Sequence, residues 1–298
     1  MLRSPRPRAA CPTVVVDRRS AMRPFSHSLP ADSMSDRHRP SAAEVPISRR
    51  DALKRTTLGA VALATGACLG GTDPNAGAGT GRLSARVADP TGSTAPGIHP
   101  LGLESGRDGL LYVPTSYNAD TPAPLALVLH GAGRDSSELV TPMRPLVDAT
   151  GLVLVAPDAR SATWDAIGGS FSWDVDFINR ALTSVFSRVR VDPARVRIIG
   201  FSDGATYSLS LGIINGDLFS RIVAFSPGFV VSRTATGKPK IFITHGTSDT
   251  VLPIDQTSRV IVPQLQAAGY DVEYHEFPGG HGFTPDLLDQ AVTWASAV

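Results

Sequence analysis

Cysteine is nearly absent. The 298 residues hold two, Cys11 and Cys68, both in the first quarter of the chain. From residue 81 onward there is none. That part therefore folds with no disulfide, no cysteine-ligated metal and no thiol nucleophile. An excess of charge is missing too: 28 Lys and Arg stand against 27 Asp and Glu, a formal net charge of +1. Nothing in that balance marks nucleic acid as a partner. No H-E-x-x-H occurs, so neither a metal nor another cofactor is expected. No internal repeat is evident. The uncharged run Thr56–Thr72 is too short to be a stable membrane anchor.

What is present divides unevenly. Residues 1–47 are rich in Arg, Pro and Ser and show no hydrophobic period. They are expected to be disordered, or to be translated from a start placed too far upstream, with Met22 and Met34 as alternative starts. Residues 48–72 begin Ser48-Arg49-Arg50-Asp51-Ala52-Leu53-Lys54 and continue into the apolar run. This resembles a twin-arginine signal peptide; a buried N-terminal helix is the alternative. Thr65-Gly66-Ala67-Cys68 resembles a lipobox, while Ala76-Gly77-Ala78 offers an A-x-A cleavage site. Residues 73–81 read as a flexible linker. The expectation is export from the bacterial cytoplasm. Membrane association would come only through the signal peptide or a lipid on Cys68.

About 215 residues remain, from 82 to 298, enough for one α/β domain with a sizeable core. Strand-like stretches fall at Leu83–Val87, Gly109–Val113, Leu125–His130, Leu152–Ala156, Val196–Gly200, Ile222–Phe225, Ile241–His245 and Val272–Phe277. Several are continuous apolar runs, as expected of strands buried on both faces of a parallel sheet. Helix-like stretches at Glu138–Ala149, Val175–Ser187, Ala205–Asn215, Asp255–Ala268 and Pro285–Ala297 alternate with them, which implies right-handed βαβ units. Two initial strands with no helix between them suggest an antiparallel start. Only Gly228 to Pro239 separates two late strands, so no large cap domain is expected.

In such a sheet, ligand sites lie beyond the carboxyl ends of the strands. There the sequence places His130-Gly131-Ala132-Gly133, Gly200-Phe201-Ser202-Asp203-Gly204, His245-Gly246-Thr247-Ser248-Asp249 and Gly279-Gly280-His281. The second is a strand–turn–helix G-x-S-x-G, the context of a nucleophile elbow. Serine, aspartate and histidine then follow in that chain order, each just past a strand. With these motifs the domain resembles the α/β-hydrolase superfamily. Within it, the resemblance is to small serine esterases of the phospholipase/carboxylesterase or polyhydroxybutyrate-depolymerase-like type. It implies a mostly parallel eight-stranded sheet flanked by helices.

The resemblance also implies roles. Ser202 is the nucleophile, His281 the general base and Asp249 its orienting carboxylate. The amides of Ala132 and Asp203 form the oxyanion hole. Each has a plainer reading: Ser202 as a helix cap, Asp249 as a turn aspartate, and Asp203 as a carboxylate favoured by a helix N-terminus. His275 and His245 are read as structural, and Asp255 as a rival for Asp249. Trp164, Phe171, Trp173, Phe229, Leu252 and Phe283 are candidate substrate contacts, although such residues more often belong to a core. The expected activity is an exported serine carboxylic-ester hydrolase acting through an acyl-enzyme on short-chain or aryl esters. Feruloyl or acetyl esterase, polyester depolymerase, peptidase or thioesterase, and a non-catalytic binding protein on a hydrolase scaffold are the alternatives.

Overall fold

The structure, a computed structural model, describes residues 79–231 and 233–297. The expectations for residues 1–47 and 48–72, and for most of the 73–81 linker, lie outside the described residues.

Among the described residues, eight strands form a single sheet: β1 (Gly97–Pro100), β2 (Gly109–Val113), β3 (Ala123–Leu129), β4 (Val153–Pro157), β5 (Val191–Phe201), β6 (Arg221–Phe225), β7 (Lys240–Gly246) and β8 (Val272–Phe277). Their spatial order is β1-β2-β4-β3-β5-β6-β7-β8. The β1–β2 and β2–β4 pairs are antiparallel and all later pairs parallel. The antiparallel start follows from a β1–β2 connection too short to cross over the sheet.

Among the described residues, five α-helices cover the two faces. One layer is α1 (Ser137–Thr150) with α5 (Pro285–Ser296); the other holds α2 (Trp173–Phe186), α3 (Asp203–Ile214) and α4 (Ser258–Ala267). Leu139, Val140, Met143 and Val147 of α1 share one apolar cluster with Leu288, Ala291 and Val292 of α5. The second cluster joins Val175 and Ile178 of α2, Leu209 of α3 and Ile261 of α4 to the opposite face of the strands. β3 and β4 are buried at every position, hence their unbroken apolar sequences. Helix α3 is buried on all sides from Gly204 to Ile214, so it shows almost no polar face.

One expected strand does not form. Leu83–Val87 has no sheet partner and runs as a strap over α2 and α3. Its alternation is real, with Leu83 and Ala85 buried, but its amides bond to side chains. Leu83 donates to Asn215 Oδ1 at 2.8 Å, and Ser84 and Ala85 donate to Asn179 Oδ1 at 2.8 and 3.1 Å. The eighth strand is instead β1, whose residues Gly-Ile-His-Pro carry little β signal. Among the described residues of 226–239, between β6 and β7, there is no helix or strand, and no cap domain sits there. No described helix is long and apolar enough to cross a membrane.

Candidate active site

The elbow between β5 and α3 is built by close backbone approach. A Cβ on Gly200 would run into the Gly204 carbonyl, and one on Gly204 into the Leu129 carbonyl of β3. Between them Ser202 takes φ 57° and ψ −119°, a strained conformation of the kind that nucleophile elbows impose. Ser202 stands at the N-cap of α3 but makes no side-chain capping bond. Its hydroxyl lies instead 2.8 Å from His281 Nε2.

His281 Nδ1 lies 2.7 Å from Asp249 Oδ2. A carboxylate only accepts, so Nδ1 carries the proton and Nε2 presents its lone pair to the Ser202 hydroxyl. The Asp249 side chain is fully buried, and that of His281 is 16% exposed. Asp249 is also the turn aspartate: its Oδ1 accepts from the Val251 and Leu252 amides at 2.9 and 2.8 Å. The two readings of this residue take one oxygen each. Burial pushes its carboxyl up, but the Leu252 amide, His281 and the Val251 amide outweigh burial and hold it below the ordinary aspartate value.

Two loops must meet for this contact, the one after β7 and the one after β8. Gly246 allows it, since a Cβ there would strike the Gly280 carbonyl. The Ser248 amide then donates to Gly279 O at 2.8 Å. His245 is buried beneath, with Nε2 at 2.8 Å from Leu252 O and 3.1 Å from Asp249 Oδ2, and Nδ1 at 2.7 Å from Ser258 Oγ. The Leu252 carbonyl requires a proton on Nε2, so Ser258 donates to Nδ1. Burial lowers the His245 pKa, which keeps the ring neutral in this packing role. His275 pairs with Glu273 and stacks on Phe242, and Asp255 pairs with Arg259; neither touches His281.

The loop after β3 spends its amides unevenly. The Gly131 amide donates to Glu138 Oε2 at 2.6 Å, Gly133 to Ala162 O at 2.7 Å and Arg134 to Gly131 O at 3.3 Å. Among the hydrogen bonds of the described residues, none uses the amide of Ala132 or of Asp203. His130 braces this loop, as expected. Its Nδ1–H donates to Gly131 O at 2.7 Å while Nε2 accepts from the Ala159 amide at 2.9 Å. Burial lowers its pKa, and the nearby Arg107 guanidinium adds to that. Arg107 itself donates to Ala159 O and Arg134 O, each at 2.6 Å. The Asp203 carboxylate accepts from Thr163 Oγ1 at 2.5 Å, which ties α3 to the loop after β4.

The aromatic candidates separate. Trp164 is core, not pocket: it is buried, its Nε1 donates to His130 O at 2.8 Å, and its ring lies 5.2 Å from that of Tyr207. Phe171 is buried against the same Tyr207. Each stands in a loop, but the loop folds back over α3. Trp173 is 77% exposed and borders a groove of about 310 Å³ with Glu104, Arg160 and Phe177; Ser202 and His281 do not line it. Phe229 is half-buried. Leu252 is half-buried, and a Cβ added at Gly228 would meet it and the Thr206 hydroxyl. Phe283 packs on Phe201 and Phe225, at 5.5 and 4.9 Å, and Phe201 lies 5.0 Å from the His281 ring. Arg107 and Thr163 escaped sequence reading because each acts from an element distant in the chain, and Glu138 because a carboxylate in the first turn of α1 has a plainer reading at a helix N-terminus. No group of acidic, histidine or cysteine side chains among the described residues could hold a metal.

The phospholipase/carboxylesterase family model matches residues 175–297, a span holding Ser202, Asp249 and His281. "Probable feruloyl esterase C" of Aspergillus oryzae is 31% identical over 167 residues, 53% of this chain and 60% of that protein. Feruloyl esterase C of Emericella nidulans is 28% identical over 159 residues, 51% of this chain and 58% of that protein. The chain thus spans about 60% of the length of the first curated relatives it matches. Among solved structures, an S-formylglutathione hydrolase from Staphylococcus aureus superposes with TM-score 0.56 at 18% identity, over 70% of this chain and 100% of that one. A ferulic acid esterase from Anaeromyces mucronatus gives 0.51 at 19% identity, over 72% and 95%. At those identities the structures speak for the fold. The described domain has the α/β-hydrolase fold, and the chain resembles the esterases of that superfamily.

Proposed function

We propose that this protein is a serine carboxylic-ester hydrolase that works through an acyl-enzyme. The observation that carries the reading is the continuous chain from Ser202 Oγ to His281 Nε2 at 2.8 Å and from His281 Nδ1 to Asp249 Oδ2 at 2.7 Å. In this reading His281 Nε2 takes the Ser202 proton as Oγ bonds to the ester carbonyl carbon. The carbonyl oxygen gains the negative charge and receives the amides of Ala132 and Asp203. The tetrahedral intermediate collapses, the ester C–O bond breaks, and His281 Nε2–H protonates the departing alkoxide. Water then attacks the acyl carbon with His281 again as base, which releases the acid and restores the Ser202 hydroxyl. Asp249 stabilises the imidazolium at both stages without taking its proton.

The substrates we assign are short-chain or aryl esters, small or polymer-borne. The feruloyl esterase names of the curated relatives favour the aryl class. Polyester depolymerisation, by contrast, has no specific contact in its favour. Turnover of p-nitrophenyl butyrate and methyl ferulate by wild type, with loss of at least about a thousandfold in Ser202→Ala, is the expected result. Folded, purified wild type with no turnover on a panel of acyl and aryl esters would favour a binding protein on this scaffold. Export through the leader is part of the same reading, since Arg49-Arg50 stand five residues before the uncharged run Thr56–Thr72. Replacing both by lysine should stop export; undiminished export would remove the twin-arginine route.

A further inference from the structure

Two non-glycine residues among those described have positive φ: Ser202 at 57° and Ser226 at 52°. The first is explained by the elbow. The second stands just past β6, the strand beside β5, where Phe225 pairs with Phe201. Ser226 is fully buried, so its hydroxyl has no access to bulk water and needs a protein partner. That partner is the Gly282 carbonyl, which accepts from Ser226 Oγ at 3.1 Å. Gly282 is the residue directly after His281.

The residue before Ser226 does a related thing. The Phe225 carbonyl accepts the Ser202 amide at 2.9 Å, and the Phe225 ring lies 4.9 Å from Phe283. The end of β6 therefore holds the elbow with one residue and the His281 loop with the next. The Ser226 amide, donating to Thr244 O of β7 at 2.8 Å, fixes that strand end in the sheet. On its other side the His281 loop is pinned by the Ser248 amide on Gly279 O, at 2.8 Å. His281 thus sits between two pins. Removing the one at Gly282 leaves it hinged at Gly279, and the 2.8 Å approach of Nε2 to Ser202 loses one of its two backbone supports. Backbone strain kept at a functional site fits such an arrangement, because the positive φ aims the hydroxyl.

We infer that Ser226 is a positioning residue that sets His281 against Ser202 through the Gly282 carbonyl. The inference rests on the esterase reading above. Three variants test it. Ser226→Ala removes the hydroxyl and keeps the strain, Ser226→Gly removes both, and Ser226→Cys keeps a weak donor. For each, kcat and KM on p-nitrophenyl butyrate, the rate of covalent labelling by a fluorophosphonate probe, and Tm are measured beside wild type and Ser202→Ala. Expected are falls of about tenfold in kcat and labelling rate for Ala and Gly, with KM within about twofold. Ser226→Cys should lie between them and wild type, and Ser226→Gly should melt no lower than Ser226→Ala. Wild-type kcat in both Ala and Gly variants overturns the inference; so does recovery in Gly alone, or a loss that merely follows Tm. An active wild type beside a dead Ser202→Ala localises such a failure to Ser226. A wild type that neither labels nor turns over aryl esters defeats the esterase reading and this inference together.

Discussion

Asp249 divides its oxygens between a turn and a histidine, so Asp249→Asn is an informative change. The asparagine carbonyl can keep the Val251 and Leu252 amides. Its NH2 then faces His281 Nδ1, which must become an acceptor, and the ring proton moves to Nε2. An Nε2–H cannot take the Ser202 proton. The expected outcome is a kcat lower by about a thousandfold or more, read from steady-state kinetics, with a lower Tm in thermal melts because the same NH2 also faces the buried His245 Nε2–H, 3.1 Å from Oδ2 in the wild type. Asp174 offers a second test. It is buried at the start of α2, where its oxygens accept the Arg160 and Asp165 amides, each at 2.7 Å. Burial raises its pKa to about 6, against the two amides that lower it, with the nearby Asp165 charge pushing the same way as burial. The folded state therefore holds this proton more tightly than the unfolded chain. Its contribution to stability is full below about pH 4 and is lost as pH rises through about 6, by up to ~3 kcal/mol. Urea melts at pH 4.5 and 7 should show Asp174→Asn losing less stability across that interval than wild type. An equal loss in both proteins would contradict the assignment.

At the scale of elements, the elbow and the N-terminal strap depend on opposite kinds of contact. The elbow is backbone against backbone, and Gly204→Ala drives a methyl into the β3 carbonyl at Leu129. Neither partner can yield as a side chain would, so a loss of about 3 kcal/mol or more, or failure to fold, is expected in denaturant melts. The strap depends on Asn215, whose Oδ1 accepts the Leu83 amide while Nδ2 donates to Gly81 O and Leu211 O. Asn215→Ala should cost about 2–3 kcal/mol because buried partners are left unsatisfied, with faster hydrogen exchange at Leu83. These two elements also mark how far the chain could be read in advance. The elbow was legible because its requirement is local: a strand, a turn with glycines at fixed spacing, and a helix. Ser202 and Asp249 were legible because each follows an apolar run, and His281 because it stands among glycines just past a strand-like stretch, all at the same edge. The strap was not, because period-two alternation reports which face is buried and says nothing of what bonds the backbone. β1 was missed for the converse reason, as four residues with alternate burial carry too little pattern. Trp164 was misplaced because a loop position does not reveal which way the loop folds. Ser226 was invisible, since a positive φ in a serine leaves no mark in sequence.

The whole molecule bears on the size of ester admitted. The proposed catalytic groups come from loops after β3, β5, β7 and β8, all at one edge of the sheet. What covers that edge decides which substrate is accepted. Residues 226–239, where a cap could be inserted, hold no helix or strand among those described. The candidate apolar contacts Leu252, Phe229 and Phe283 are each only half-buried, and Phe283 is already engaged by Phe201 and Phe225. A long acyl chain gains about 0.8 kcal/mol for each methylene taken out of water. An edge with no cap element among the described residues offers little of that gain beyond the first few carbons. An aryl or short acyl group, by contrast, can bury most of its own surface against two or three side chains. On p-nitrophenyl esters from acetate to palmitate, kcat/KM should therefore peak at or below butyrate and fall by about tenfold or more by laurate. Adding substrate above its micellar concentration should produce no jump in rate, since the described residues between β6 and β7 form no helix or strand that an interface could lift. A rate that climbs steadily with chain length would mean that a long apolar groove forms at this edge when substrate binds.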